Sequence, residues 1–207
     1  IKTGGEIGAL LKEAALVKKL QPTHNRQLRR NNELCSIQLK DSSEGLEVHV
    51  AYASELDFAT TSNLYGLFKN KREAFKALTE IAEEHALCKA IIGLEKVKAG
   101  SPCFGWQLKK CRGACIGDEP RLAHDARLLA GLGKLKIKTW PFDGPAYLKE
   151  GEEILLIENW AYLGSATNED EIWQIMDGRQ TRFDRDTYKI LSTAAGRLQP
   201  LVLQDIS

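Results

Sequence analysis

The sequence contains no apolar run that approaches the roughly 20 residues needed to span a bilayer. Its first residues also lack the positively charged segment followed by an apolar segment that is typical of a secretory signal peptide. These two absences predict a cytoplasmic protein with no membrane partner. Disulfides are not expected either, because five cysteines is an odd number for a disulfide framework and cytoplasmic thiols stay reduced unless they bind metal or perform redox chemistry.

Several enzyme signatures are missing as well. The stretch GLGKLK lacks the upstream glycine and the following serine or threonine of a phosphate-binding loop, and the four histidines do not have zinc-protease spacing. A formal net charge of +1 excludes a uniformly basic protein. What remains is a globular chain of 207 residues, 43% hydrophobic and 28% charged, which can bury one good core or two small ones.

Hydrophobic periodicity predicts an α+β fold. Amphipathic helices are predicted at four places: 6–20, 70–85, 120–136 and 184–198. Asn70 is a predicted N-cap with Glu73 reaching back, and Phe183 with Tyr188 predicts a hydrophobic staple at the start of the last helix. The β-rich runs on either side of DSSEG predict a hairpin, LYGLF predicts a further strand, and AYLKEGEEILLIE predicts a second hairpin. The stretch WPFDGP marks a boundary near residue 140, because its two prolines and glycine cannot continue regular structure. We therefore divide the chain into three regions: 1–32, 33–139 and 140–207.

Four of the five cysteines lie close together in the sequence: Cys88, Cys103, Cys111 and Cys115. Four thiolates are the usual ligands of a [4Fe–4S] cluster and also of a structural zinc ion. Zinc ribbons usually have two short cysteine knuckles, whereas the gaps here are fourteen, seven and three residues. The spacing favours a cluster, although zinc with His85 or Cys35 in place of one thiolate stays open. A buried free cysteine can also be a small core residue.

Two tracts of the sequence are basic and free of acids. The first spans residues 14–32, and the second spans residues 96–117 and includes Phe104 and Trp106. Cationic side chains bind phosphates and aromatic rings stack on exposed bases, so these tracts predict DNA binding. The alternative is a solvated face with two core aromatics. The predicted DNA-binding residues are Lys18, Lys19, Arg26, Arg29, Arg30, Lys109, Lys110 and Arg112.

A carboxylate accompanies the apolar stripe of the first helix. Glu13 follows Leu10 by three residues and precedes Val17 by four, so it is expected to project beside that stripe. A carboxylate in that place needs a partner, which could be Mg²⁺ or a basic side chain. On spacing alone, an ion pair is the better interpretation.

Three motifs resemble the UvrC/Cho family of GIY-YIG excinucleases. GALLKEAALVKKLQPTHN is similar to the helix that closes the GIY-YIG nuclease domain, in which a glutamate at the position of Glu13 binds the catalytic metal. YGLFKNKREAFKAL resembles the family's aromatic-Gly strand and helix, which lead to a cysteine matched by Cys88. PCFGWQLKKCRGACIG resembles the family's P-C-x7-C-x3-C signature. In addition, HNRQLRRNNELCSI resembles fusions in which a proofreading-type exonuclease precedes the nuclease domain.

The resemblance implies a DNA repair endonuclease that incises DNA near a lesion, with a UvrB-like damage-recognition protein as partner. It implies Mg²⁺ on Glu13 and a [4Fe–4S] cluster, or zinc as the alternative, on the four cysteines. Residues 1–32 would be the end of the GIY-YIG domain with a basic connector, and 33–139 would be the cysteine-cluster region. Residues 140–207 would form a small C-terminal region with a β-hairpin and a helix.

The sequence also departs from the family. The paired GIY and YIG strands, which supply a tyrosine base, and the arginine after them should precede Glu13 by several dozen residues, but only 12 residues lie upstream. The chain begins with Ile1 rather than methionine, so we expect a fragment that is inactive alone. The alternative is a noncatalytic DNA-binding module with a structural iron–sulfur or zinc site. A thiol-redox protein fits less well, because the chain has no C-x-x-C pair.

Overall fold

The computed structural model describes residues 3–20, 34–98 and 100–202. It divides the chain into two compact units. The terminal unit comprises residues Ile1–Leu28, Asp57–Thr60 and Lys138–Ser207, and the central unit comprises residues Arg29–Leu56 and Thr61–Ile137. Both ends of the chain therefore contribute to the same unit, whereas the sequence predicted separate regions for them.

The first helix, α1 (Glu6–Leu20), belongs to the terminal unit and has the predicted bounds. Only part of its apolar stripe is buried. Ile7 and Leu11 are buried, whereas Leu10 and Val17 are exposed. One face of the helix is therefore covered, and the other presents apolar side chains at the surface.

The central unit contains a three-stranded antiparallel sheet. Its strands are β1 (Cys35–Ser42), β2 (Gly45–Tyr52) and β3 (Leu64–Phe68), in the order β2-β1-β3. The predicted hairpin is confirmed: Ser42 pairs with Gly45 across a two-residue turn.

Helices cover the sheet of the central unit. These are α2 (Lys71–Glu84) and α4 (Arg121–Leu132), and between them in the chain lies the short α3 (Phe104–Gln107), which has no buried residue. The predicted start of α2 is confirmed, because the Asn70 side chain accepts a hydrogen bond from the Glu73 N–H and the Glu73 carboxylate accepts one from the Lys69 N–H. The buried core joins β1 and β3 to α2 and α4, and it includes Ile37, Leu39, Tyr65, Leu78, Leu87, Leu128 and Leu132.

The terminal unit contains a larger sheet than the sequence predicted. The remaining elements are β4 (Ala146–Glu150), β5 (Glu153–Glu158), β6 (Ala161–Ala166), α5 (Glu169–Asp177), α6 (Arg185–Thr193) and β7 (Gln199–Pro200). The four strands are antiparallel, in the order β6-β5-β4-β7. The prediction of one hairpin and one helix was therefore too small, because it missed β6, β7 and α5.

The turn between β5 and β6 explains why β6 was missed. Asn159 and Trp160 both have positive φ, 52° and 60°, which is the conformation of a tight hairpin turn. The usual sequence for this turn is Asn-Gly, and a tryptophan in the second position hides it. Trp160 is buried, with its ring centroid 5.2 Å from that of Trp140 and 5.4 Å from that of Tyr188. Packing of the aromatic ring holds the turn in its unusual conformation.

The two antiparallel sheets with their helices make the fold α+β, as predicted. Within residues 3–20, 34–98 and 100–202, no helix has the length and apolar character required to cross a membrane.

Candidate metal centre

The central unit brings cysteine sulfurs together. The Sγ of Cys103 lies 3.6 Å from that of Cys88 and 3.5 Å from that of Cys111. These three sulfurs all lie within 4.8 Å of one another. Cys115 is close enough to Cys88 and Cys103 for both groups to contribute to the raised pKa of its thiol. Three of the four cysteines grouped by sequence spacing thus lie together, and Cys115 is not part of this group of three.

Helix termini and glycines position these cysteines. Cys88 follows the C-terminal end of α2, and Cys103 is the N-cap residue of α3. Cys115 lies in the 3₁₀ turn Ala114–Ile116, between Gly113 and Gly117, whose φ angles are 78° and 83°. A side chain is strained at such angles, so glycine lets this loop turn back toward the other sulfurs.

The shared pocket changes the acidity of the thiols. Burial raises the pKa of Cys111 to about 12 and that of Cys115 to about 11, and the neighbouring sulfur groups contribute to both increases. Burial also opposes ionisation of Cys103, but the backbone N–H of Trp106 and the three other thiols lower the pKa of Cys103 overall. Since a metal binds thiolates, a cation entering the pocket would release protons.

The donor set fits a metal ion. Tetrahedral zinc with Zn–S bonds of about 2.3 Å places neighbouring sulfurs roughly 3.8 Å apart, close to the observed separations. A Cβ atom at Gly105 would lie 3.7 Å from the sulfurs of Cys103 and Cys111, so glycine leaves room beside them. An iron–sulfur cluster is larger than a zinc ion and would require the sulfurs to move apart. Among the described residues, neither Cys35 nor His85 joins this group of possible ligands.

A buried polar chain lies behind Cys88. The Cys88 N–H donates to the Nε2 of His124 over 3.1 Å, and the His124 Nδ1 lies 3.2 Å from the Asp125 carboxylate. Because Nε2 accepts this hydrogen bond, the ring proton is placed on Nδ1, and burial lowers the pKa of His124. Asp125 is held in turn by Arg121, 2.9 Å from Oδ1. Helix α4 therefore fixes the backbone at the first cysteine.

A second buried contact fixes the end of α2. The Arg127 guanidinium donates to the carbonyl groups of His85 and Ala86, and it forms an ion pair with the buried Glu119. Carbonyl groups at a helix C-terminus lack partners within the helix, so this arginine satisfies them.

Exposed cations and aromatic rings flank Cys103 and Cys111 in the sequence. Lys109, Lys110 and Arg112 are exposed, and none forms an ion pair with a residue in the described part of the chain. Phe104 is 62% exposed and Trp106 is 39% exposed, with the Trp106 Nε1–H donating to Asp118 over 2.8 Å. The two rings are therefore surface groups rather than the core aromatics of the alternative interpretation.

The predicted metal ligand Glu13 and the predicted DNA-binding residue Lys18 lie on α1, in the terminal unit. Glu13 is exposed, and it forms no hydrogen bond or ion pair with a described residue. Lys18 donates to the Asp184 carboxylate over 2.5 Å, so it is engaged within the terminal unit. The Lys19 side chain lies outside the described residues, as do Arg26, Arg29 and Arg30.

Comparison with known proteins places the cysteine pocket in a family. The model of the UvrC/Cho excinuclease middle domain matches residues 34–133, and that of the excinuclease Cho C-terminal domain matches residues 145–206. The chain is 43% identical over 195 residues to excinuclease Cho of Shigella flexneri and of Escherichia coli O157:H7, covering 92% of this chain and 64% of each relative. It belongs to the UvrC/Cho excinuclease family.

This UvrC/Cho family member spans about two thirds of the length of its curated relatives. Excinuclease Cho of Salmonella typhi gives the same 43% identity, over 65% of its length. No solved structure matches the chain. The middle-domain match contains Cys88, Cys103, Cys111 and Cys115, and helix α1 precedes both matched regions.

Sequence reasoning missed the group that anchors α1 in this family member. The carboxylate of the buried Glu150, at the end of β4, accepts hydrogen bonds from the N–H groups of Ile7, over 3.3 Å, and Gly8, over 2.8 Å. A Cβ atom at Gly5 would lie 2.5 Å from that carboxyl group. Glycine therefore admits a capping carboxylate from a distant strand, which local capping rules cannot detect.

Proposed function

We propose that the complete protein is a metal-dependent endonuclease that incises DNA near lesions during nucleotide excision repair, in the cytoplasm. The observation that carries the proposal is the 43% identity to excinuclease Cho across 92% of this chain. In this proposal α1 closes a GIY-YIG nuclease domain, and a UvrB-like protein recruits the enzyme to damage. Residues 1–32, 33–139 and 140–207 remain the proposed functional regions, although residues of the first and the last region belong to the same compact unit.

Glu13 is proposed as the ligand of the catalytic Mg²⁺. Its support is an exposed carboxylate with no described protein partner, on a helix whose exposed face also carries Leu10 and Val17. When bound, Mg²⁺ would act as a Lewis acid on the scissile phosphate. A tyrosine base and an arginine from a preceding segment would complete the site. Glu150 would fix the position of Glu13 by anchoring α1.

The four cysteines are proposed to hold a structural metal centre that orders residues 88–117. The family resemblance favours a [4Fe–4S] cluster, whereas the sulfur separations of 3.5 and 3.6 Å suit zinc. In both cases the centre would fix Lys109, Lys110 and Arg112 on a surface that binds the phosphates of DNA. The iron and zinc content of protein purified without oxygen distinguishes the two metals.

The test of the enzymatic proposal compares two chains. The present chain with Mg²⁺ and damaged duplex DNA should give no nicks, while a chain extended upstream through the nuclease strands should nick. In the extended chain, Glu13→Gln should abolish nicking, whereas Glu6→Gln, an exposed glutamate on the same helix, should leave it unchanged. Nicking by the present chain, or by the extended Glu13→Gln variant, would contradict the assignment.

A noncatalytic DNA-binding module is the second candidate. The exposed Phe104 and Trp106, close in the sequence to cations that have no ion pair with a described residue, favour DNA binding without requiring any incision. This candidate predicts steeply salt-dependent binding and no nicking even by the extended chain.

A further inference from the structure

Strand β2 forms one edge of the central sheet. Ser42 and Gly45 close the β1–β2 hairpin, so pairs along the ladder alternate in their bonding. The main-chain groups of Glu47 and His49 point toward β1, whereas those of Leu46, Val48, Val50 and Tyr52 point outward. Strand β1 shows the same alternation. Leu39, the β1 partner of Val48, points its N–H away from β2 and donates it to the Asn63 carbonyl group.

Both ends of this outward row are covered by the protein itself. The Leu46 N–H donates to Asp125 over 2.9 Å, and its carbonyl group accepts from Arg121. At the other end, the Tyr52 carbonyl accepts from the N–H groups that follow β2. The N–H and C=O groups of Val48 and Val50, between these ends, have no hydrogen-bond partner in the described part of the chain. An unpaired stretch of edge strand is a template for another strand.

A cavity of about 230 Å³ lies beside the same stretch. It is lined by Val48, His49, Val50, Tyr52, Lys71, Phe75, Ile92 and Gly93. The volume is below the roughly 300–1,000 Å³ of small-molecule sites, so the cavity has room for about one large side chain. Most of the lining side chains are apolar, although polar atoms contribute more of the exposed cavity surface than apolar atoms do. Lys71, at the start of α2, lies 5.1 Å from the Phe75 ring centroid and has no carboxylate partner among the described residues.

We propose that this groove binds an extended peptide segment of another protein, which adds as a fourth strand along β2. One apolar side chain of the segment fills the cavity, and an acidic side chain pairs with Lys71. Peptide recognition by strand addition combines main-chain hydrogen bonds for affinity with pockets for alternate side chains. The interaction does not depend on the incision chemistry.

The edge favours a peptide over a nucleic acid. Val48 and Val50 each offer one donor and one acceptor at strand spacing, and a peptide main chain matches both. A phosphate has acceptors only and leaves the two carbonyl groups without partners. The cavity lining also contains one lysine, Lys71, whereas binding a nucleic-acid backbone requires several cations in a row.

The test uses the complete 207-residue chain, labelled with ¹⁵N. The probes are three capped peptides of about eight residues in which valine, leucine or phenylalanine alternates with glutamate. At least one should shift the amide signals of Val48 and Val50 and bind in a saturable way. Methylation of the peptide nitrogens that face β2 should abolish this binding, because it removes the donors without changing the side chains.

Charge reversal identifies the acidic contact. Lys71→Glu should weaken peptide binding by roughly fivefold or more. Lys76→Glu, an exposed lysine of the same helix outside the cavity lining, should leave binding unchanged. The proposal is overturned if no peptide shifts these amides at millimolar concentration, or if binding is indifferent to methylation and to Lys71→Glu. It is equally overturned if a single-stranded DNA of similar length shifts the same amides and displaces the peptide.

Discussion

Replacing Glu150 with glutamine tests how α1 is anchored. The carboxylate accepts hydrogen bonds from Ile7 and Gly8 at the N-terminal end of the helix. Loss of a capping acceptor costs about 1 kcal/mol, and loss of a negative charge at a helix N-terminus costs about 0.3–2 kcal/mol. We expect Glu150→Gln to destabilise the terminal unit by roughly 2 kcal/mol, which lowers the melting temperature of a unit of this size by about 8–16 °C.

The assay is urea and thermal unfolding, together with amide hydrogen exchange of α1. Exchange at the first turn of α1 should accelerate by roughly thirtyfold if opening becomes about 2 kcal/mol easier. Glu152→Gln is the matched control, because this glutamate lies in the adjacent turn, is exposed and has no ion pair with a described residue. Equal stability and equal exchange in the two variants would refute the conclusion that Glu150 anchors the helix.

Three further predictions concern the metal, the DNA and pH. Cys111→Ser should remove most of the bound metal measured by mass spectrometry, whereas Cys35→Ala, in the sheet core, should retain it. Replacing Lys109, Lys110 and Arg112 with glutamate should reduce the slope of log K against log salt by about 0.9 for each lost phosphate contact, and Lys134→Glu should change it little. Burial opposes ionisation of Asp184, but hydrogen bonds from Lys18 and the Thr187 N–H lower its pKa overall. The ionised Asp184 therefore stabilises the folded protein fully above the unfolded pKa of about 3.9, and this stabilisation is lost as the pH falls through the lowered folded-state pKa. Carboxyl NMR should show a higher Asp184 pKa in Lys18→Gln; an unchanged pKa would show that Lys18 does not stabilise the carboxylate.

Local rules predicted the parts of the fold that depend on neighbouring residues. The cap at Asn70 and the hairpin around Ser42 and Gly45 need only a few consecutive side chains, and both were predicted. Asp184 caps α6, and the Phe183 and Tyr188 rings lie 5.4 Å apart around it, as expected for a hydrophobic staple. Strand β6 was missed because its turn depends on Trp160, whose conformation is supported by packing with distant rings.

In the candidate site, too, local sequence patterns predicted some residues and missed those that depend on distant contacts. Cysteine spacing alone predicts one shared site for four thiols, and three of the four, those of Cys88, Cys103 and Cys111, lie together. His124 and Asp125 could not be found in this way, because within a helical pattern they look like ordinary polar residues. Their roles depend on a contact with Cys88, 36 positions earlier for His124. Pairings across long stretches of chain leave no local pattern.

The capping of α1 by Glu150 has a consequence for synthesis on the ribosome. The acceptor lies 143 positions after Ile7, so it is made long after the helix emerges. At about 5–20 residues per second, the helix waits roughly 7–30 s for its cap. During that interval Ile7 and Leu11, which are buried in the folded unit, are not yet covered by the later parts of the chain, and the newly made helix is a natural substrate for chaperones.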